Sequence, residues 1–173
     1  MFNKLKIVKS NSCKYEQKDA LLQRAEEVID ILVSDKLKNL AIRDYKYNPD
    51  LAVEELGIDC DLVMQLLDDY VAQTIKAIVQ FETHMKKLQD SKEAQKTMDY
   101  TPFRELAHKN LGVARNLRIK DAEILLYELM KKDDLSYLIM CLKALKACSI
   151  RLSPQSAYNT LKLIEIKKSI LNN

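Results

Sequence analysis

The sequence predicts an all-α protein, an antiparallel up-down four-helix bundle with additional N-terminal and C-terminal helices, on three observations. Only 2 of the 173 residues are Gly and 3 are Pro, too few for the turns that a sheet fold needs at intervals of roughly 8–12 residues. Apolar residues recur at three- and four-residue spacing through most of the chain, the mark of amphipathic helices. Finally, four helical segments of comparable length, joined by short connections, fill residues 59 to 150, the sequence form of an up-down bundle. A chain of this length buries roughly 70% of its unfolded surface, enough for one core-forming domain and an extension. The division expected is 1–48 as N-terminal arm and helical extension, 49–150 as the bundle, and 151–173 as a C-terminal helix packed on it.

The elements follow in order. The first fifteen residues are basic and aperiodic and read as an arm. From Glu16 to about Lys38, Leu21, Leu22, Ala25, Val28, Ile29 and Leu32 line one helix face, and Leu37, Leu40 and Ala41 extend the pattern toward Asn48. There Pro49 forces the preceding residue out of helical geometry. Asn48 and Pro49 open a short helix that Gly57 closes in the left-handed conformation. Asp59 or Asp61 caps the longest helix, whose apolar side runs from Leu62 to Leu88. A polar loop spans 89–99, and Thr101-Pro102 restarts helix. That helix ends near 118–120. Asp121 caps the next, which stops at 131–134, and a further helix with a broad apolar stripe runs to Ile150. Ser153-Pro154 begins the last.

Several chemistries are excluded by composition. Gly57 and Gly112 stand far apart, so no glycine-rich phosphate loop is present. Cys13, Cys60, Cys141 and Cys148 show no close pairing and read as reduced thiols of a cytoplasmic protein, Cys141 and Cys148 as small core residues. With His84 and His108 as its imidazoles, the chain has no zinc-ligand spacing, and no metal site is expected. His84 sits at the edge of an apolar stripe and reads as a boundary residue. Tyr45 and Tyr47 read as packing residues. The longest apolar run, Leu138 to Leu142, is far short of the roughly 20 residues of a membrane span. A net charge of +3 demands neither nucleic acid nor membrane. The basic residues Arg104, Lys109, Arg115, Arg118 and Lys120 carry no interleaved aromatics for base stacking.

One helix carries a constellation. On a wheel of about 100° per residue, Phe103, Leu106, Asn110, Val113 and Leu117 form an inward seam, with His108 about 180° away. Arg104 lies one turn before His108, Gly112 one turn after and Arg115 two turns after, all on the exposed stripe. A mid-helix glycine costs about 1 kcal/mol relative to alanine. Here it clears access to the imidazole, and the flanking guanidinium groups suit phosphate oxygens. An exposed imidazole keeps a nucleophilic nitrogen near neutral pH, so the arrangement describes a phosphorylatable histidine.

The run Ala107-His108-Lys109-Asn110-Leu111-Gly112-Val113-Ala114, followed by Leu117, resembles the signature of histidine-containing phosphotransfer (HPt) domains, roughly A-H-x-x-K-G-x-x-x-x-L-G. The resemblance covers about 49–150. It implies that His108 accepts a phosphoryl group from a receiver-domain aspartate or a kinase and passes it to a receiver aspartate. The chain would then be a phosphocarrier rather than a stand-alone catalyst, and it has no kinase or nucleotide-binding motif. Gly112 would let the receiver dock. The implied partners are a response-regulator receiver domain, a hybrid sensor kinase, or both, with no cofactor on this chain and Mg²⁺ only in the receiver. Two positions depart from the pattern: the family's lysine is Leu111 here, and its later glycine is Arg118. Leu111 falls beside Arg104 and Arg115 on the wheel, so these are expected to replace the missing charge, with Lys109 a more distant substitute. The same face would also suit a non-catalytic scaffold, a degenerate HPt-like domain that binds a receiver or kinase domain without phosphotransfer.

Overall fold

The structure is a computed structural model that describes residues 2–172, with side chains described from Glu16 to Asn172. Among the described residues it is all-helical: α1 (Phe2–Ser34), α2 (Pro49–Leu56), α3 (Cys60–Glu93), α4 (Thr101–Asn116), α5 (Lys120–Lys131), α6 (Leu135–Leu152) and α7 (Pro154–Leu171).

Several ends form as the local chemistry requires. Asn48 accepts a hydrogen bond from the Asp50 amide at 3.1 Å, and Gly57, at φ +64°, donates its N–H to Val53 O at 2.9 Å. Asp59 caps α3 through the Leu62 amide at 2.8 Å, and Asp134 caps α6 through the Tyr137 amide at 3.1 Å. Elsewhere the ends differ from expectation. The first fifteen residues are helical from Phe2 onward rather than an aperiodic arm; they contain no Gly or Pro, so a helix nucleated downstream meets no breaker. Cys13 lies outside the described side chains. At its other end α1 stops at Ser34, because the chain tightens into turns that drive Leu37 and Ile42 into the interior, both fully buried. The polar stretch 89–93 stays helical and the loop begins only at Ala94.

The core is organised around α6. Leu135, Leu138, Cys141, Leu145, Cys148 and Ile150 are buried around its circumference, as expected of a helix packed on several sides. α1, α3, α5 and α7 all lie against it. The N-terminal helix is thus an extra layer on the body, and Ala25, Ile29 and Val33 join the same core as the residues of α3 to α7. Both Cys141 and Cys148 are buried thiols, pushed up in pKa by desolvation, and His84 is half-buried, as read from the sequence. α4 stands at the periphery, held between α3 and α5. Phe103 of α4 meets Phe81 of α3 edge to face at 5.1 Å, and full burial of side chains this large stabilises the contact by about 1.5–3 kcal/mol each.

Candidate functional site on the outer face of α4

The buried face of α4 consists of Phe103, Ala107, Leu111 and Ala114. The seam is therefore rotated from the expected one: Leu106 and Asn110 are half-buried and Val113 is exposed. The reason is residue size. Ala107 and Ala114 are fully buried and let α4 approach its neighbours closely, and Leu111 fills the space between them. On the wheel His108 then lies about 100° from the middle of the buried face, on its flank rather than opposite it. It remains exposed, as do Lys109, Gly112 and Arg115.

The placement of Leu111 overturns one expectation. The side chain is 1% exposed and belongs to the core, so it takes no part in docking or in holding an anion. Gly112 is a different matter. A Cβ built there meets nothing within 4 Å, and its backbone is ordinary helix, so neither packing nor conformation requires glycine. Asn110 satisfies its amide by donating to Leu106 O at 2.8 Å.

Arg104 is half-exposed and already engaged. Its Nη2 pairs with Asp133 in the α5–α6 connection, and its guanidinium lies over the Tyr100 ring, 5.2 Å from the centroid. Tyr100 in turn donates its hydroxyl proton to Asp133 O at 2.7 Å. The Arg104 Nε is buried and has no hydrogen-bond partner. Sequence reasoning named Arg104 but missed Asp133, because only folding brings residues 29 positions apart together; Tyr100, one turn before Arg104, was missed although its i,i+4 spacing was a local signal.

The C-terminal end of α4 is held by a second cluster. Tyr45 and Tyr47 donate their hydroxyls to Arg118 O at 3.1 Å and Leu117 O at 2.9 Å, so the pair caps the carbonyl end of the helix as well as packing. Burial pushes the Tyr45 hydroxyl up to about 12. Arg118 adopts φ +58°, the left-handed conformation, and pairs with Glu55 at 2.5 Å. Asp121 does not cap α5 as expected. It is buried, accepts from the Ala122 amide at 2.8 Å, and pairs with Arg151 at 3.1 Å. Burial raises its pKa against the opposing pull of Arg151. Arg151 also donates to Ile42 O and Arg43 O, both at 2.8 Å. These groups border a cleft of about 710 Å³ between the 43–47 segment and the ends of α5 and α6. Ser153 likewise makes no cap for α7; its hydroxyl donates to Asp68 Oδ1 at 2.6 Å.

Among the described residues no group of three or more His, Cys, Asp or Glu is placed to hold a metal ion, and no helix is long and apolar enough to cross a membrane. No protein-family model, curated protein or solved structure matches the chain. What the α4 face presents is an exposed imidazole, a glycine one turn on with open space about it, and basic side chains within one or two turns, of which Arg104 is paired with Asp133.

Proposed function

We propose that the chain is a histidine phosphotransfer protein of the cytoplasm, in which His108 exchanges a phosphoryl group with receiver-domain aspartates in a phosphorelay, and α3 to α6 serve as the up-down four-helix bundle that carries it. The observation that carries this reading is Gly112. A glycine inside an exposed helix face weakens the helix by about 1 kcal/mol, yet no neighbouring atom lies within 4 Å of where its Cβ would stand. The fold gains nothing from it, whereas a partner approaching the imidazole one turn away gains clearance. Arg118 supports the reading independently, since it takes left-handed geometry at the position where the HPt signature has glycine.

In the transfer step an imidazole nitrogen of His108 attacks phosphorus while the bond to the aspartyl oxygen breaks. The carboxylate leaves with the electron pair, and the ring's other nitrogen releases its proton to solvent. Arg104, Lys109 and Arg115 offer positive charge to the phosphoryl oxygens, and the receiver supplies the acid pocket and Mg²⁺. Incubation with a phosphorylated receiver domain is expected to place acid-labile label on His108, with none on His108→Gln. Gly112→Phe is expected to keep the helix but stop transfer, and transfer surviving that change would refute the clearance argument.

A second reading, a scaffold that binds a receiver or sensor-kinase domain without accepting phosphate, is favoured by Leu111: where the family's lysine is expected, a core side chain stands. Receiver binding by wild type and by His108→Gln, with no label on either, would establish it.

A further inference from the structure

We propose that Arg104 is a movable anion clamp, resting on Asp133 and Tyr100 and exchanged onto the phosphoryl group when His108 is phosphorylated, so that Asp133 sets the lifetime of the phosphorylated state by competing for the guanidinium. The inference rests on the phosphohistidine reading of His108. It concerns what restrains the charge beside that ring rather than who delivers the phosphate.

Three observations carry it. Arg104 and His108 are four residues apart on one helix, the separation at which side chains meet. The Arg104–Asp133 pair is open to solvent, with side-chain exposures of 42% and 68%, and such pairs are held weakly. The resting pose also leaves the Nε donor buried without an acceptor, so the guanidinium is incompletely satisfied where it stands. A phosphoryl group on His108 offers three anionic or partly anionic oxygens in exchange for one carboxylate, and it matches the fork of a guanidinium. Tyr100 belongs to the resting pose: its ring lies under the guanidinium and its hydroxyl is fixed to Asp133 O, so exchange onto His108 means leaving both.

The effect on lifetime has a definite sign. Hydrolysis of a phosphorylated imidazole passes through a loose transition state in which the transferring group resembles metaphosphate. The phosphoryl oxygens carry less negative charge there than in the ground state. A guanidinium on those oxygens therefore stabilises the ground state more and slows the loss of phosphate. Asp133, by drawing Arg104 away, hastens it.

The test needs no biological partner. Full-length protein is phosphorylated with phosphoramidate, whose P–N bond breaks as the bond to the His108 nitrogen forms, the amide nitrogen leaving as ammonia with a proton from solvent. Decay of the phosphohistidine signal is then followed by phosphorus NMR. Asp133→Asn is expected to lengthen the lifetime roughly two- to fivefold, the scale of an exposed ion pair. Arg104→Gln is expected to shorten it, and Asp133→Asn added to Arg104→Gln is expected to change nothing further. An unchanged or shortened lifetime in Asp133→Asn would overturn the proposal. The same gain in the Arg104→Gln background would overturn it too, because Asp133 would then act without Arg104. Absence of label on His108 would overturn it outright. A lengthened lifetime with phosphoramidate, together with no transfer from any receiver, would leave the clamp standing and remove the phosphorelay.

Discussion

Two of the Arg–Asp pairs among the described residues, Arg151–Asp121 and Arg104–Asp133, join segments 30 and 29 residues apart, and their surroundings give them opposite characters. At the junction of the 35–48 segment with α5 and α6, Arg151 and Asp121 are 17% and 3% exposed, and Arg151 also donates to two backbone carbonyls. On the outer face of α4, Arg104 and Asp133 are several-fold more exposed, and one buried donor goes unanswered. A charge pair shut away from water is tolerated only when its remaining hydrogen bonds are filled, and it then becomes hard to break. A pair in contact with water is worth little and exchanges partners readily. One pair ties the fold together, while the other is the pair proposed to release its cation to His108.

That contrast is broken most decisively at the buried pair. Arg151→Ala leaves Asp121 buried without its partner and two carbonyls without their donor, and is expected to lower stability by about 3–5 kcal/mol. For a protein of this size that is a fall in Tm on the order of 10 °C. The equivalent change at the surface, Asp133→Asn, is expected to stay within about 1 kcal/mol. Thermal melts of the two variants followed by circular dichroism compare them directly, and equal shifts would mean that burial does not separate the pairs.

The second largest effect concerns the buried side of α4. Leu111→Lys restores the lysine of the HPt signature, and on the sequence alone it reads as a repair of the phosphate site. In the structure it pushes an ammonium into the core between Ala107 and Ala114. The expected result is a loss of roughly 2–5 kcal/mol, from the lost leucine packing and the desolvated charge, with no gain in phosphotransfer. A urea titration with unchanged midpoint, or faster transfer, would return Leu111 to the exposed face and undo the seam described for α4.

What could be read from sequence, and what could not, follows from how local each signal is. Asn48, Pro49 and Gly57 fix both ends of α2 within a ten-residue stretch, and Asp59 and Asp134 find their amides three residues on. Where a cap is closed by amides of its own turn, as at these ends, its chemistry lies in the local chain; Asp121 and Ser153 fail to cap because distant partners, Arg151 and Asp68, claim their side chains. The rotation of α4 was not legible, because a pattern of large apolar residues gives little weight to Ala107 and Ala114, whose smallness is what brings the neighbouring helices close. Arg151–Asp121 and Arg104–Asp133 span 30 and 29 residues. No periodicity announces such a pair, and Asp121 at a helix start imitates a cap. The exposure of His108 and Gly112 was legible for the opposite reason: each is conspicuous within one turn of the other, in a chain with only 2 glycines.

The smallest expected effect lies where the two regions meet, at the hydroxyl of Tyr45 on the carbonyl end of α4. Burial lifts this hydroxyl from its ordinary 10.0 to about 12 in the folded protein. The unfolded chain therefore releases the proton first as pH rises. The contribution of Tyr45 to stability is complete below pH 10 and is lost progressively as pH climbs from 10 through 12. At pH 8 the wild type is expected to exceed Tyr45→Phe by about 1 kcal/mol, the value of one hydrogen bond to Arg118 O. Near pH 11 the gap is expected to narrow or change sign, since phenylalanine has no proton to lose. Urea midpoints of both proteins at the two pH values measure this. A gap independent of pH would show that the hydroxyl titrates as it does in water, and that the end of α4 is as open to solvent as its His108 face.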